Sequence, residues 1–179
     1  MTRLARFEAG VIPHLDAAYN LARWLTRNDQ DAQDVVQDAM LRAFRFFDDL
    51  ERDNARPWLL SIVRNAAFTW LEKNRPAELV AAEDSPGAVM EAEALQPGAV
   101  EANPEVIVLL SAQRKLLNLA LEEVPVAFRE ALVLRELEDL SYKEIAALTG
   151  VPIGTVMSRL ARGRVLLRHA LENRMRKAS

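Results

Sequence analysis

From Ile153 to Lys177 the chain carries seven basic side chains, Arg159, Arg162, Arg164, Arg168, Arg174, Arg176 and Lys177, against the single acid Glu172. Guanidinium groups at this density can pair with phosphates and can donate two hydrogen bonds at once to the edge of a guanine. Thr155, Ser158, Arg159 and Arg162 share one face at helical spacing, while Val156, Leu160 and Leu167 fall on another that faces inward. Just upstream, Ser141 and Glu144 make an S-x-x-E capping box that opens a short helix. Ala146 is small enough for a crossing helix to approach, Gly150 suits a left-handed turn, and Pro152 fits a first helical turn. A helix-turn-helix results, with a polar face free to enter a major groove. One basic helix alone would read as a solvated face. Capping box, turn glycine and clustered arginines together point to DNA binding.

Other chemistries find little support. The chain has no cysteine, which excludes disulfides and thiolate zinc sites and fits a reducing cytoplasm. His14 and His169 are its two histidines, and neither belongs to a helical His pair that could hold a metal. There is no glycine-rich phosphate loop. The expectation is therefore no catalytic residue, no metal, no cofactor and no small-molecule substrate.

The elements that must position the basic helix follow from charge and periodicity. The chain has 179 residues, half of them hydrophobic and 27% charged, with a formal charge of −3. That total hides an uneven distribution: zero over residues 1–75, −7 over 76–113 and +4 over 114–179. No Lys or Arg stands between Arg75 and Arg114, and Pro76, Pro86, Pro97 and Pro104 interrupt the stretch. It reads as an acidic flexible linker. Leu15, Ala18, Ala22 and Leu25 form one apolar stripe, Val35, Ala39, Ala43 and Phe47 a second, and Trp58, Ile62, Ala66 and Trp70 a third. After the linker, Pro104 opens a helix through Ile107, Leu110, Leu117 and Leu121, and Pro125 opens another carrying Phe128, Leu132 and Leu137. No segment alternates as a strand. The expected fold is all-α: a helical bundle over 1–75, a linker over 76–104 and a helix-turn-helix domain over 105–179. The longest charge-free run, Ile145 to Ser158, is broken by Gly150, Pro152 and Gly154, so neither a signal peptide nor a membrane insertion is expected.

Asp34 and Asp38 are like charges one turn apart, a pairing that disfavours an isolated helix by a few tenths of a kcal/mol, on the order of 0.3. A basic partner outside the chain would compensate. Alternatively, Asp31 and Asp34 favour the helix N-terminus through its dipole and Asp38 pairs with Arg42. The residues alone leave both readings open.

Leu140-Ser141-Tyr142-Lys143-Glu144-Ile145-Ala146, followed by Gly154-Thr155-Val156-Met157-Ser158-Arg159-Leu160, resembles region 4 of the extracytoplasmic-function (ECF, group IV) sigma factors of RNA polymerase. Asp31-Ala32-Gln33-Asp34-Val35-Val36-Gln37-Asp38 and Trp58-Leu59 through Arg64-Asn65 are similar to that family's region 2. The order and separation also match, and the resemblance covers about three quarters of the chain. It implies a promoter-recognition subunit. Region 2 would grip the β′ clamp helices of the polymerase core and open the −10 element, while region 4 would bind the −35 element and the β flap. The acidic connector would thread towards the RNA exit channel.

Carried over residue by residue, the resemblance makes Asp31, Asp34, Gln37, Asp38 and Arg42 the polymerase-facing stripe. It makes Asn54, Arg56, Arg64 and Asn65 the −10 contacts, and Thr155, Ser158, Arg159, Arg162 and Arg164 the −35 contacts. Trp58 and Trp70, on an apolar stripe, read as core. The family also implies an anti-sigma factor, which could hold the protein at the membrane. Three positions depart from the pattern: Thr69 where many relatives carry Asp, Glu72-Lys73-Asn74-Arg75 in place of a more basic run, and Met157 where many carry Arg or Lys. The competing reading is an autonomous helix-turn-helix regulator. A response regulator of that kind would carry a receiver of alternating strands and helices, and residues 1–75 contain no strand pattern.

Overall fold

The structure is a computed structural model that describes residues 1–50, 54–80 and 104–179. Every regular element among the described residues is helical. The first unit is built from α1 (Arg3–Val11), α2 (Leu15–Thr26), α3 (Asp29–Arg45) and α4 (Ala55–Asn74), with short 3-10 turns at Ile12–His14 and Phe47–Asp49. Caps set these boundaries. Thr2 accepts from the Ala5 amide at 3.2 Å, and Asn28, extended at the start of α3, accepts from the Asp31 amide at 3.0 Å. At the other end of α2, Arg27 takes the left-handed conformation, with φ 58°, and ends the helix.

Helices α2, α3 and α4 pack against one another pairwise, and α1 lies across α4. Ala18, Ala22 and Leu25 are buried, as are Val35, Ala39 and Ala43, so the first two stripes hold. The third does not run as expected. The buried side of α4 is Leu59, Leu60, Val63, Ala66, Ala67 and Leu71, and Trp58, Ile62 and Trp70 are half-buried at its edges. Almost every turn of α4 offers an apolar residue on more than one side, because the helix packs on its own bundle and on the second unit as well. Phe7 closes the bottom of the bundle with its ring edge-on to Phe44 and Phe47, at 5.1 and 5.3 Å between centroids.

The first residues of the segment expected to be a linker, 76–80, are helical. Pro76–Val80 forms α5, and Glu78 on it pairs with Arg27 and, at 3.6 Å, with Arg75. The acids further along, from Glu83 to Glu101, lie outside the described residues. Helix α6 (Pro104–Glu123) begins at the proline that the sequence marks, although the side chains of Ile107 and Leu110 are outside the described residues.

The second unit continues with α7 (Val126–Leu132), α8 (Tyr142–Thr149) and α9 (Ile153–Ala178). Pro125 precedes α7 as its N-cap, and α7 runs on into a π-helical turn over Val133–Leu137. Helix α9 spans 26 residues and packs on α6, α7 and α8. It can do so because of Gly163: a Cβ there would lie 3.1 Å from Leu132 Cγ and 3.3 Å from the Phe128 carbonyl oxygen. The units are joined, with α7 against α2 and α5, and α8 against α4.

Gly163 and Gly154 thus predict opposite outcomes on one helix. Gly163→Ala should destabilise the fold by about 1–3 kcal/mol through overpacking. Gly154→Ala, whose Cβ would meet nothing within 4 Å, should be neutral or stabilising by up to about 1 kcal/mol through helix propensity. Urea unfolding of the two variants checks both signs.

Candidate nucleic-acid interface

The helix-turn-helix forms from the residues that the sequence singles out. The Ser141 hydroxyl accepts from the Glu144 amide at 3.1 Å, and Glu144 Oε1 accepts from the Ser141 amide at 3.2 Å, completing the capping box. Gly150 sits at φ 73° and turns the chain into α9. Val156 and Leu160 are buried and Leu167 is half-buried against the core.

The polar face of α9 divides in two. Arg162 is exposed, with its guanidinium carbon 5.3 Å from the centre of the Phe128 ring. Thr155, Ser158 and Arg159 are half-buried, and the Ser158 hydroxyl donates back to the Thr155 carbonyl at 3.0 Å. Arg164 turns to Glu136, 2.8 Å away. Arg174, beyond the groove-facing turns, pairs with Glu123. Met157 and Ile153 are exposed on the first turns.

On the first unit, the acidic stripe of α3 also separates. Asp34, Gln37, Asp38 and Arg42 face solvent. Asp38 and Arg42 form an i,i+4 pair at 2.9 Å, and Gln30 donates to Asp34 at 3.4 Å, which softens the repulsion between the two acids. Gln37 lines an open groove of about 640 Å³ with Leu15, Asp16, Tyr19, Asn20, Gln33 and Val36. Asp31 does not stand with them. It is half-buried and accepts from Arg75 at 3.0 Å, while Arg75 also donates to the Thr26 carbonyl at 2.6 Å.

Of the four residues on the α4 side, Asn54 and Asn65 are exposed. The two arginines reach the second unit instead. Arg64 Nε lies 2.6 Å from Glu130 Oε1, and Arg64 also stacks over Phe68, 3.9 Å from the ring centre. Arg56 donates to the Glu138 carbonyl at 2.5 Å and to its carboxylate at 2.7 Å. Residues 51–53, just before α4, lie outside the described residues.

The partners Glu130 and Glu138 have no counterpart in the sequence expectations. Both are buried, as is Arg129. Burial pushes the Glu130 and Glu138 carboxyls up from the ordinary carboxylate range, and Arg64 and Arg56 respectively pull the other way. Arg129 is brought down to about 10, mainly by burial and secondarily by the charge of Arg27. It donates to the Glu122 and Val124 carbonyls at 3.1 and 2.9 Å, and across the unit boundary to Leu25 at 3.5 Å. One clue was available in the sequence: Arg129-Glu130 interrupts an otherwise apolar run from Val126 to Leu134. Among the described residues no group of three or more His, Asp or Glu side chains is arranged to hold a metal ion, and no helix is long and apolar enough to cross a membrane.

Comparison with known proteins gives a consistent pattern. Residues 11–76 match the family described as Sigma-70 region 2, and residues 114–167 match Sigma-70, region 4. The chain is 37% identical over 158 residues to the ECF RNA polymerase sigma factor SigE of Mycolicibacterium smegmatis, covering 88% of this chain and 58% of that protein. It is 36% identical over 151 residues to the ECF RNA polymerase sigma-E factor of Escherichia coli, covering 81% of this chain and 74% of the relative. Among solved structures it is similar to the sigma factor RpoE in complex with the anti-sigma factor NepR from Bartonella quintana. The TM-score there is 0.68 at 27% identity, over 93% of this chain and 97% of the other. It is also similar to CnrH in complex with the cytosolic domain of CnrY, with a TM-score of 0.61 at 25% identity, over 93% and 88% of the two chains.

The division within the α3 stripe can be measured. Asp31→Ala should lower the stability of the folded chain by about 1 kcal/mol, since it removes a half-buried, charge-assisted contact from Arg75. A thermal melt at low and high salt would test this, and an unchanged melting temperature would return Asp31 to the solvent-facing set.

Proposed function

The chain belongs to the ECF sigma factors of RNA polymerase, and on that premise we propose that it acts as a group IV member, a cytoplasmic initiation subunit with no catalytic site of its own. It directs the polymerase core to promoters. The observation that carries this reading is the pairing of two units in one chain: an exposed acidic stripe on α3 of the first and a capped helix-turn-helix with a basic α9 on the second. Each supplies one half of what promoter selection needs.

In this reading Asp34, Gln37, Asp38 and Arg42 on α3 meet the β′ clamp helices, with the neighbouring groove receiving apolar atoms beside them. Asn54, Asn65, Arg56 and Arg64 take the flipped bases and backbone of the −10 non-template strand, where hydrogen-bonding groups and positive charge are both needed. Thr155, Ser158, Arg159, Arg162 and Arg164 lie at the −35 major groove, and the second unit meets the β flap. Arg162 is the best placed for a base edge, because it is already exposed and held over Phe128. An anti-sigma factor is the expected regulatory partner, supported by the structural relative RpoE of Bartonella quintana, solved in complex with the anti-sigma factor NepR. An autonomous regulator is disfavoured, since region 2 as well as region 4 is present.

Run-off transcription from a genomic promoter library, with and without added core polymerase, tests the function as a whole. Transcripts should depend on both proteins, and the free chain should bind duplex promoter weakly at physiological salt. Tight, sequence-specific duplex binding by the free chain would contradict this.

Two substitutions test the two contacts separately. Asp34→Lys should weaken association with core polymerase while leaving the melting temperature unchanged or raised, because the repulsion with Asp38 is relieved; unimpaired binding to core would remove α3 from the interface. Arg162→Ala should cost about 1–3 kcal/mol of promoter affinity and relax preference at one −35 position. Initiation from a panel of single-base −35 variants reads this directly, and a profile matching wild type in strength and preference would take Arg162 off the reading face.

A further inference from the structure

Helix α9 begins with six uncharged residues, Ile153-Gly154-Thr155-Val156-Met157-Ser158, and its first charged side chain is Arg159. In a helix-turn-helix the first turns of the second helix are the ones that reach base edges. The chemistry available there is narrow. Val156 is buried. Thr155 and Ser158 are half-buried, and the Ser158 hydroxyl donates to the Thr155 carbonyl at 3.0 Å. Arg159 is half-buried too, close enough to the buried Glu130 for its charge to act on that carboxyl. The large side chains that these two turns hold out to solvent are apolar: Ile153 at 48% exposure and Met157 at 44%.

The two stand one turn apart on the same side of the helix. Gly154 lies next to them, and a Cβ there would meet nothing within 4 Å, so none of the described residues covers this corner. A scattered exposed apolar residue is ordinary. This pair, however, occupies the end of the helix that has to read bases. A guanine is read by a fork of donors and an adenine by a side-chain amide, and neither group stands among the six residues. The major-groove feature that an apolar side chain recognises is the 5-methyl group of thymine. Methionine suits that task, because its unbranched, polarisable chain adjusts to the methyl without a fixed geometry. Arg162, more than a turn further on and exposed, brings the fork to a different base pair.

We propose that Met157, with Ile153 beside it, is a specificity-determining residue that reads the methyl group of a thymine in the −35 major groove. The proposal rests on the reading of α9 as the helix that enters the −35 element. It gives the two ends of the reading face different tasks. The first turns select by apolar contact and Arg162 by hydrogen bonding, so the base preferred opposite Met157 is not one that a basic side chain at that position would choose.

The test uses the full chain assembled with core polymerase, on promoters that this holoenzyme transcribes. Those promoters should share a thymine, on either strand, at one fixed −35 position. Replacing that dT by deoxyuridine removes the methyl and leaves every hydrogen-bonding group in place. Initiation by the wild type should fall about three- to fivefold, the effect of one buried methyl. Met157→Ala should initiate from the dT template at this reduced level and lose the difference between the two templates, as two changes to a single contact must. Ile153→Ala should narrow the same difference, and Met157→Arg should move the preferred base at that position towards guanine. Circular dichroism checks that the variants, all at exposed positions, are folded. The absence of a shared thymine, equal initiation by wild type from both templates, or a deoxyuridine penalty that persists in Met157→Ala and Ile153→Ala alike would overturn the proposal. Arg162→Ala separates the two levels of the argument. If it alters −35 preference while deoxyuridine has no effect, α9 keeps its place in the groove and the methyl contact alone fails; if no base change in the −35 element alters initiation, the reading of α9 fails as well.

Discussion

Helix α7 is buried on all sides although Arg129 and Glu130 stand in the middle of it. Two adjacent charges can occupy such a place only if each finds partners of opposite character within reach. Arg129 is satisfied by the carbonyls at the end of α6 and by α2, and Glu130 by Arg64 on α4. The position of the second unit against the first therefore depends on this one turn of helix. The same turn fixes the path of α6 into α7, because Arg129 takes up the carbonyls of Glu122 and Val124 where α6 has ended.

From that turn the reading helix is placed by shape. Phe128 and Leu132, on the other side of α7, leave room for a helix only where the approaching residue has no side chain, and Gly163 supplies it. With the close approach of α9 set at Gly163, Leu160 and Val156, one and two turns earlier, fall into the core, and Arg162 emerges beside Phe128. A single steric requirement thus sets both the buried and the exposed face of α9. The capping box and Gly150 then fix the angle at which α8 enters.

The two units present opposite signs to the surroundings. An acidic stripe lies along α3 and a basic one along α9, and the formal charges of the flanking segments, zero and +4, are separated by a segment of −7. The near-neutral total is a sum of parts of different sign, the acidic stripe complementary to a basic surface and the basic one to phosphate. Arg56 and Arg64 belong to the first unit, and each is satisfied by a buried glutamate of the second.

The sequence by itself determined the all-helical class, the two units, the capped helix-turn-helix and the family, because each rests on local rules. Helical periodicity, a capping box at Ser141 and Glu144, a left-handed glycine at 150 and prolines at helix starts all act within a few residues of where they are written. It also separated the buried from the polar face of α9. What it did not determine are the matters settled by residues far apart in the chain. The third apolar stripe was drawn through Trp58 and Trp70 because periodicity assumes one buried side, whereas α4 packs on two partners and buries Leu59, Val63 and Leu71 most deeply. The resemblance groups Asp31 with Asp34, but Arg75, 44 residues away, takes it out of the solvent-facing set. Arg64 and Arg56 could be chosen for their charge, yet their partners stand 66 and 82 residues further on. No local rule encodes such pairings. They exist because two helical units that share one continuous apolar core also match charge with charge where they meet, and only the tertiary arrangement decides which charges those are.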